Sequence, residues 1–134
     1  MMNMVAGAVR SWLRLENLAV FFLSTILYAW LGHAWLLFIG LFLAPDLSFL
    51  GYLVGPRVGS HVYNLAHNYA APIAIGVLGI LGERSILVAI GLIWTAHIGL
   101  DRALGYGLKY PDGFGNTHLG RLGRRATPAA LSQA

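Results

Sequence analysis

Four side chains in this sequence have the chemistry to share one centre. Asp46 sits in "APDLS" (44–48), His67 in "YNLAHNY" (63–69), and His97 and Asp101 in "WTAHIGLDR" (94–102). Imidazole nitrogen and carboxylate oxygen are ligand types for zinc, iron or manganese. His97 and Asp101 stand four residues apart, so a helix carries both on one face. His-x-x-x-Asp is a weak motif alone and gains weight only if Asp46 and His67 arrive at the same place. A divalent metal ion held by the four predicts hydrolysis or oxidation of a lipid-soluble substrate. Without a metal, the same groups predict acid–base or proton-coupled chemistry, because a histidine beside a buried carboxylate titrates near neutral pH.

Those residues must be positioned by an unusually apolar chain. Of its 134 residues, 57% are hydrophobic and 10% charged, against about a quarter charged in a soluble domain. Lipid is therefore the expected solvent. Four apolar stretches stand out, at 15–31, 34–54, 58–81 and 85–106. Each is near the ~20 residues that cross a ~30 Å hydrocarbon core as a helix. Backbone groups in lipid must be satisfied internally, and the alternating short strands of a barrel are absent from the sequence. The expected fold class is all-α, a four-helix transmembrane bundle.

The turns between the stretches are short, Gly32–His33, 55–57 and 82–84, and each opens with glycine, as a helix C-cap does. Short turns make successive helices antiparallel neighbours. Residues 1–14 read as an N-terminal segment, 15–110 as the membrane domain, and 111–134 as a tail whose last part is disordered. No small-residue cleavage site follows the first apolar run, so it reads as a retained span rather than a signal peptide.

Lys and Arg set the orientation. Arg10, Arg14, Arg57, Lys109, Arg121, Arg124 and Arg125 fall on one side, and Arg84 on the other. That asymmetry predicts both termini in the cytoplasm of a bacterial cell, with the chain a multi-pass protein of its inner membrane. The net charge of +4 is absorbed by this bias, and no basic stripe alternates with aromatics, so nucleic acid is not an expected partner. With no cysteines, thiol redox chemistry, disulfides and Cys-bound zinc are excluded.

This topology sets depths. At ~1.5 Å per residue, Asp46, Asn64, His67 and His97 all fall roughly 9–14 Å above the cytoplasmic ends of their spans, with Asp101 lower. The outer halves of the spans carry no ionisable residue away from their ends. His61, Asn64 and Asn68 follow helical spacing with His67 alongside. Glu16 lies at the start of the first span. Asn64, Asn68 and Glu16 are the expected supports of the site. Arg102, turned ~100° from Asp101 on a helix, either snorkels to the interface or reaches another helix. His118 would have to fold back from the tail to join. Pro45 predicts a kink or restart of the second helix just before Asp46, and Pro72 predicts a similar break in the third.

A charge at the bilayer centre costs ~2.5–3.5 kcal/mol on insertion scales, so the four groups must face inward. Plain interhelical hydrogen bonding, at ~0.6 kcal/mol per bond, is the competing explanation and makes the chain a structural scaffold. A transport or binding protein without metal is another. Gly40, Gly51, Gly76, Gly79 and Gly91 would let helices pack closely, and Gly76 with Gly79 gives a weak signal for a homodimer.

The strings "RLENLAV", "APDLSFLGYLVGPRVGS", "YNLAHNY", "WTAHIGLDRALGYGLKYPDGF" and "THLGRLG" resemble a family of small bacterial integral membrane proteins, a domain of unknown function. The resemblance runs from about Arg14 to Arg124. By motif position it implicates Asp46, Asn64, His67, His97, Asp101, Arg102 and His118, and it implies no activity. "APDLS" is also similar to a motif of inner-membrane metal-dependent hydrolases, by analogy over a few residues.

Overall fold

The computed structural model describes residues 7–109, together with 116–117 and 120–121. Among these residues four segments are long and apolar enough to cross a membrane: Gly7–Leu31, Trp35–Leu53, Pro56–Leu81 and Ser85–Ala103. The first is one continuous helix, α1 (Gly7–Leu31). It begins eight residues before the apolar run at Leu15, so Arg10 and Arg14 ride on its first turns. The fourth is α5 (Ser85–Ala103). The two middle segments are each broken, and the breaks build the site.

In the second segment, α2 (Trp35–Phe42) gives way at Leu43 to a 3₁₀ stretch, Ala44–Leu53. Pro45, with no N–H to give, sits at the start of that stretch, and Asp46 N–H bonds Leu43 O at 3.0 Å. Ten residues is long for a 3₁₀ run, whose hydrogen bonds are poorer than those of an α-helix. Gly55 (φ 156°) then turns the chain into α3 (Pro56–Ala66).

In the third segment the break falls at 67–69, between α3 and α4 (Ala70–Leu81), three residues earlier than the proline expected to cause it. Pro72 is still the physical reason. Its ring clashes with the carbonyl four residues back, that of Asn68, and it offers that carbonyl no N–H. Pro72 itself then lies in the first turn of α4, where a missing N–H costs nothing. The helical spacing read across His61, Asn64 and Asn68 therefore does not continue through the joint, and His61 is exposed.

α5 is the central helix, packed against α1, α2 and α4. It buries Ala89, Gly91, Ile93, Ala96, His97, Ile98 and Gly99. Close approach depends on its glycines. A Cβ at Gly91 would lie 2.8 Å from Pro72 O on α4, and one at Gly99 would lie 2.9 Å from both Asn17 O and Phe21 N on α1. Gly79 meets the α5 backbone at Val88, so the Gly76–Gly79 surface faces α5 of the same chain. Tyr28, Ala89 and Ile93 form the apolar core, with Leu37, Phe38, Leu41, Phe42 and Leu92 against it. The Tyr28 hydroxyl is satisfied by Ala34 O at 2.6 Å. Large apolar side chains such as Trp30, Leu36, Leu53 and Leu81 cover the outside, as a lipid-facing surface requires.

α5 ends in a Schellman turn. Tyr106 N–H bonds Asp101 O at 2.8 Å, Gly105 N–H bonds Arg102 O at 3.1 Å, and Gly105 adopts φ 99°. That turn sends residues 106–109 back beneath α3 instead of away from the bundle. At the α4–α5 turn the left-handed position is taken not by Gly82, the expected cap, but by Glu83 at φ 54°. Beyond α5, β1 (Asn116–Thr117) and β2 (Gly120–Arg121) pair antiparallel, Asn116 opposite Arg121.

Candidate metal centre

Each of the three segments behind α1 brings side chains to one point. The 3₁₀ stretch presents Asp46 one residue after Pro45. The joint after α3 presents His67. One face of α5 presents His97 and Asp101. His67 Nε2 lies 3.2 Å from Asp46 Oδ1 and 3.4 Å from Asp101 Oδ2. His97 Nε2 lies 3.1 Å from each of the same two oxygens. The two Nε2 atoms are 3.2 Å apart, and all four ligand atoms lie within 4.8 Å of one another.

These spacings test whether a metal fits. Ligand atoms ~2.0–2.1 Å from a tetrahedral zinc are separated from each other by ~3.3–3.4 Å. Five of the six separations here, 3.1–3.4 Å, cluster about that value. The sixth, between the two carboxylate oxygens, is at most 4.8 Å, and a tetrahedral ion would draw those oxygens toward each other. Two imidazoles and two carboxylates also match a divalent cation in charge. The imidazoles are buried, 4% and 2% exposed, while Asp46 and Asp101 are 35% and 22% exposed. Access is therefore from the carboxylate side.

His67 is oriented by its surroundings. Its Nδ1 donates to Tyr63 O at 2.9 Å, which leaves the lone pair on Nε2, the tautomer a metal ligand needs. Ser48 Oγ stands 3.5 Å from the same Nδ1. The Tyr63 ring stacks on the His67 ring, with centroids 3.8 Å apart and planes 10° from parallel. His97 packs edge-on against Phe42, and its Nδ1 is buried without a hydrogen-bond partner among the described residues.

The other expected residues fall in distinct places. Arg102 reaches the α3–α4 joint: its Nη2 donates to His67 O at 3.3 Å and its guanidinium lies 4.7 Å from the Tyr69 ring centroid. Asn64 touches no ligand. Its amide donates to Lys109 O and accepts from Lys109 N–H, both at 2.7 Å, strapping the chain after α5 to α3. Asn68 is spent on the joint, where Nδ2 bonds Asn64 O and Leu65 O and Oδ1 accepts from Ala70 N–H. Glu16 is exposed on α1 and stands apart from the cluster; its neighbour Asn17 is buried and accepts a short hydrogen bond from the Tyr69 hydroxyl. His118 lies outside the described residues.

Two participants are not legible in the sequence. Asn17 is one amide in a long apolar helix. Lys109 reads as an orientation charge, yet it is 4% exposed, its ammonium 4.7 Å from the Tyr63 ring centroid and 5.9 Å from that of Phe49. Burial pushes its pKa below the ordinary lysine value, and the charge of Asp101 opposes that shift.

Residues 10–122 match DUF4260, a domain of unknown function. The chain belongs to the DUF4260 family. The match spans Asp46, His67, His97, Asp101, Arg102 and Lys109 alike. No curated protein and no solved structure matches the chain. Membership in DUF4260 thus carries no chemistry with it, and the geometry of the four ligand atoms has to carry the reading.

Proposed function

We propose that this DUF4260 protein is a multi-pass membrane metalloprotein that binds one divalent transition-metal ion through Asp46, His67, His97 and Asp101 and acts on a lipid-soluble substrate. The observation that carries the proposal is the convergence of two imidazole nitrogens and two carboxylate oxygens from three segments, with five separations of 3.1–3.4 Å that a metal polyhedron accommodates. Two carboxylates held this close without a cation repel each other, and ~2.5–3.5 kcal/mol per intramembrane charge is a cost that packing alone does not need. The ion, when bound, supplies Lewis acidity toward a carbonyl, phosphoryl or oxygen group. The chain's own part is to fix His67 through Tyr63 O, keep the imidazoles dry, and leave the carboxylate side open to substrate.

The lysine and arginine bias supports an orientation with both termini in the cytoplasm and the centre in the cytoplasmic half of a bacterial inner membrane. The test is elemental analysis of protein purified without added metal and with any affinity tag removed. About one zinc, iron or manganese per chain is expected, lost in Asp46→Asn and in His97→Ala. Metal-free wild-type protein that folds normally and takes up none of these ions would leave a proton relay or a scaffold in its place.

A further inference from the structure

A half-open cavity of about 270 Å³ lies beside the centre, lined by Leu41, Ala44, Pro45, Ser48, Ala66 and Trp94 together with Ile90 and Ile93. Its walls come from the same three segments that carry the ligands. Pro45 precedes Asp46, Ala66 precedes His67, and Ile93 stands one helical turn before His97. The rim is at exposed Ala44 and the floor at buried Ser48 and Ile93. Ser48 Oγ is 3.5 Å from His67 Nδ1, so one imidazole ring separates floor from centre. The indole N–H of Trp94 is consumed by Ala66 O at 2.5 Å, which leaves the cavity nearly without polar groups.

Depth gives the cavity a direction. α5 runs from Ser85 to Ala103, and Trp94 is its midpoint. At ~1.5 Å per residue, Ile90, Ile93 and Trp94 lie within ~6 Å of that midpoint, whereas His97 and Asp101 lie ~4.5 and ~10 Å beyond it, toward the Ala103 end. The second segment agrees, since Ala44 is the midpoint of Trp35–Leu53. The apolar cavity is thus on the bilayer-centre side and the charged centre on the interface side. A membrane amphiphile stands the same way, tail inward and polar end outward.

We infer that this cavity takes the aliphatic tail of a single-chain amphiphile, such as a fatty acid, whose polar end passes Pro45 to reach the part-exposed Asp46 on the carboxylate side of the centre. The inference rests on the metal reading for what the polar end meets, but tail binding is measurable without it. At ~30 Å³ per methylene-sized unit, taken from the liquid volume of water, the cavity holds about nine carbons.

The experiment uses Trp94 as the reporter. Trp12, Trp30 and Trp35 are exposed on the outer surface and are replaced by Phe, leaving Trp94 alone in the full chain. Reconstituted into saturated phosphatidylcholine nanodiscs, the protein is titrated with ω-bromodecanoate, whose bromine quenches tryptophan on contact. Saturable quenching is expected, reversed by excess decanoate and lost in Ala66→Phe, with metal content unchanged. Ala44→Phe, at the rim, provides the same arm should Ala66→Phe not fold. Quenching that rises in proportion to probe without saturating overturns the inference, as does saturable quenching that survives both substitutions. Quenching only by chain-brominated phospholipid overturns the single-chain assignment. Saturable tail binding in protein that never takes up metal leaves this inference standing and removes the metal reading; bound metal without saturable tail binding does the reverse.

Discussion

His67 Nε2 and His97 Nε2 lie 3.2 Å apart, although thirty residues, running through α4, a turn and most of α5, separate the two histidines in the chain. His67 reaches that position because α3 stops one residue before it, and His97 because Gly91 and Gly99 let α5 run flush against α4 and α1. The contact is the product of a helix break on one side and of missing side chains on the other.

Arg102 ties the joint to the centre through His67 O. Arg102→Met is expected to leave the fold intact and weaken metal binding by roughly 10–100-fold, the usual effect of losing a group that orients a ligand. Arg102→Lys should not restore it, because an ammonium cannot both lie flat on Tyr69 and reach the carbonyl. Competition with a chromophoric chelator measures both.

Asn64 makes two hydrogen bonds to the Lys109 backbone. Asn64→Ala removes both, at a cost of about 1–3 kcal/mol. Trypsin should then cut after Lys109 much faster than in the parent, since burial now protects that bond. Unchanged digestion would mean the strap is held by something other than Asn64.

Lys109 gives a pH dependence. Its folded-state pKa is lowered by burial, so the unfolded chain binds the extra proton in the range just below the ordinary lysine value of about 10.4. Stability from this group therefore rises with pH up to that value and is lost as pH falls through the lowered folded-state pKa. Lys109→Met removes the titrating group and should flatten the rise. Melting temperatures of parent and variant, followed across the alkaline range, check this. The parent should gain on the variant as pH increases, and a difference independent of pH would contradict it.

Glu83 holds a left-handed backbone at φ 54°, a conformation that costs an L-residue about 1–2 kcal/mol and costs glycine almost nothing. Glu83→Gly should raise the melting temperature without changing metal content. In contrast, Gly99→Ala places a methyl 2.9 Å from the α1 backbone and should destabilise by about 1–3 kcal/mol.

Much of the centre was legible because membrane crossings convert sequence position into depth. With four apolar stretches and short turns, Asp46, His67 and His97 had to arrive near one level, with Asp101 one helical turn below His97 on the same face, and their cost in lipid pointed them inward. The joint at 67–69 was harder, because Pro72 acts through a carbonyl four residues upstream of itself. Glu16 and Asn17 differ by one position, which on α1 is the difference between an exposed and a buried face. The strap through Asn64 could not be read at all. It depends on the Schellman turn at Gly105, which reverses the chain and brings together residues 45 positions apart. Lys109 looks like an interfacial charge for the same reason.

The central claim is that four named atoms hold one ion, and X-ray absorption at the metal edge of the loaded protein tests it most directly. The expected spectrum has a first shell of nitrogen and oxygen donors at ~2.0–2.2 Å, with outer-shell scattering from two imidazole rings. One ring's contribution should disappear in His67→Ala and one in His97→Ala. A spectrum with no imidazole scattering, or one unchanged by both substitutions, would contradict it.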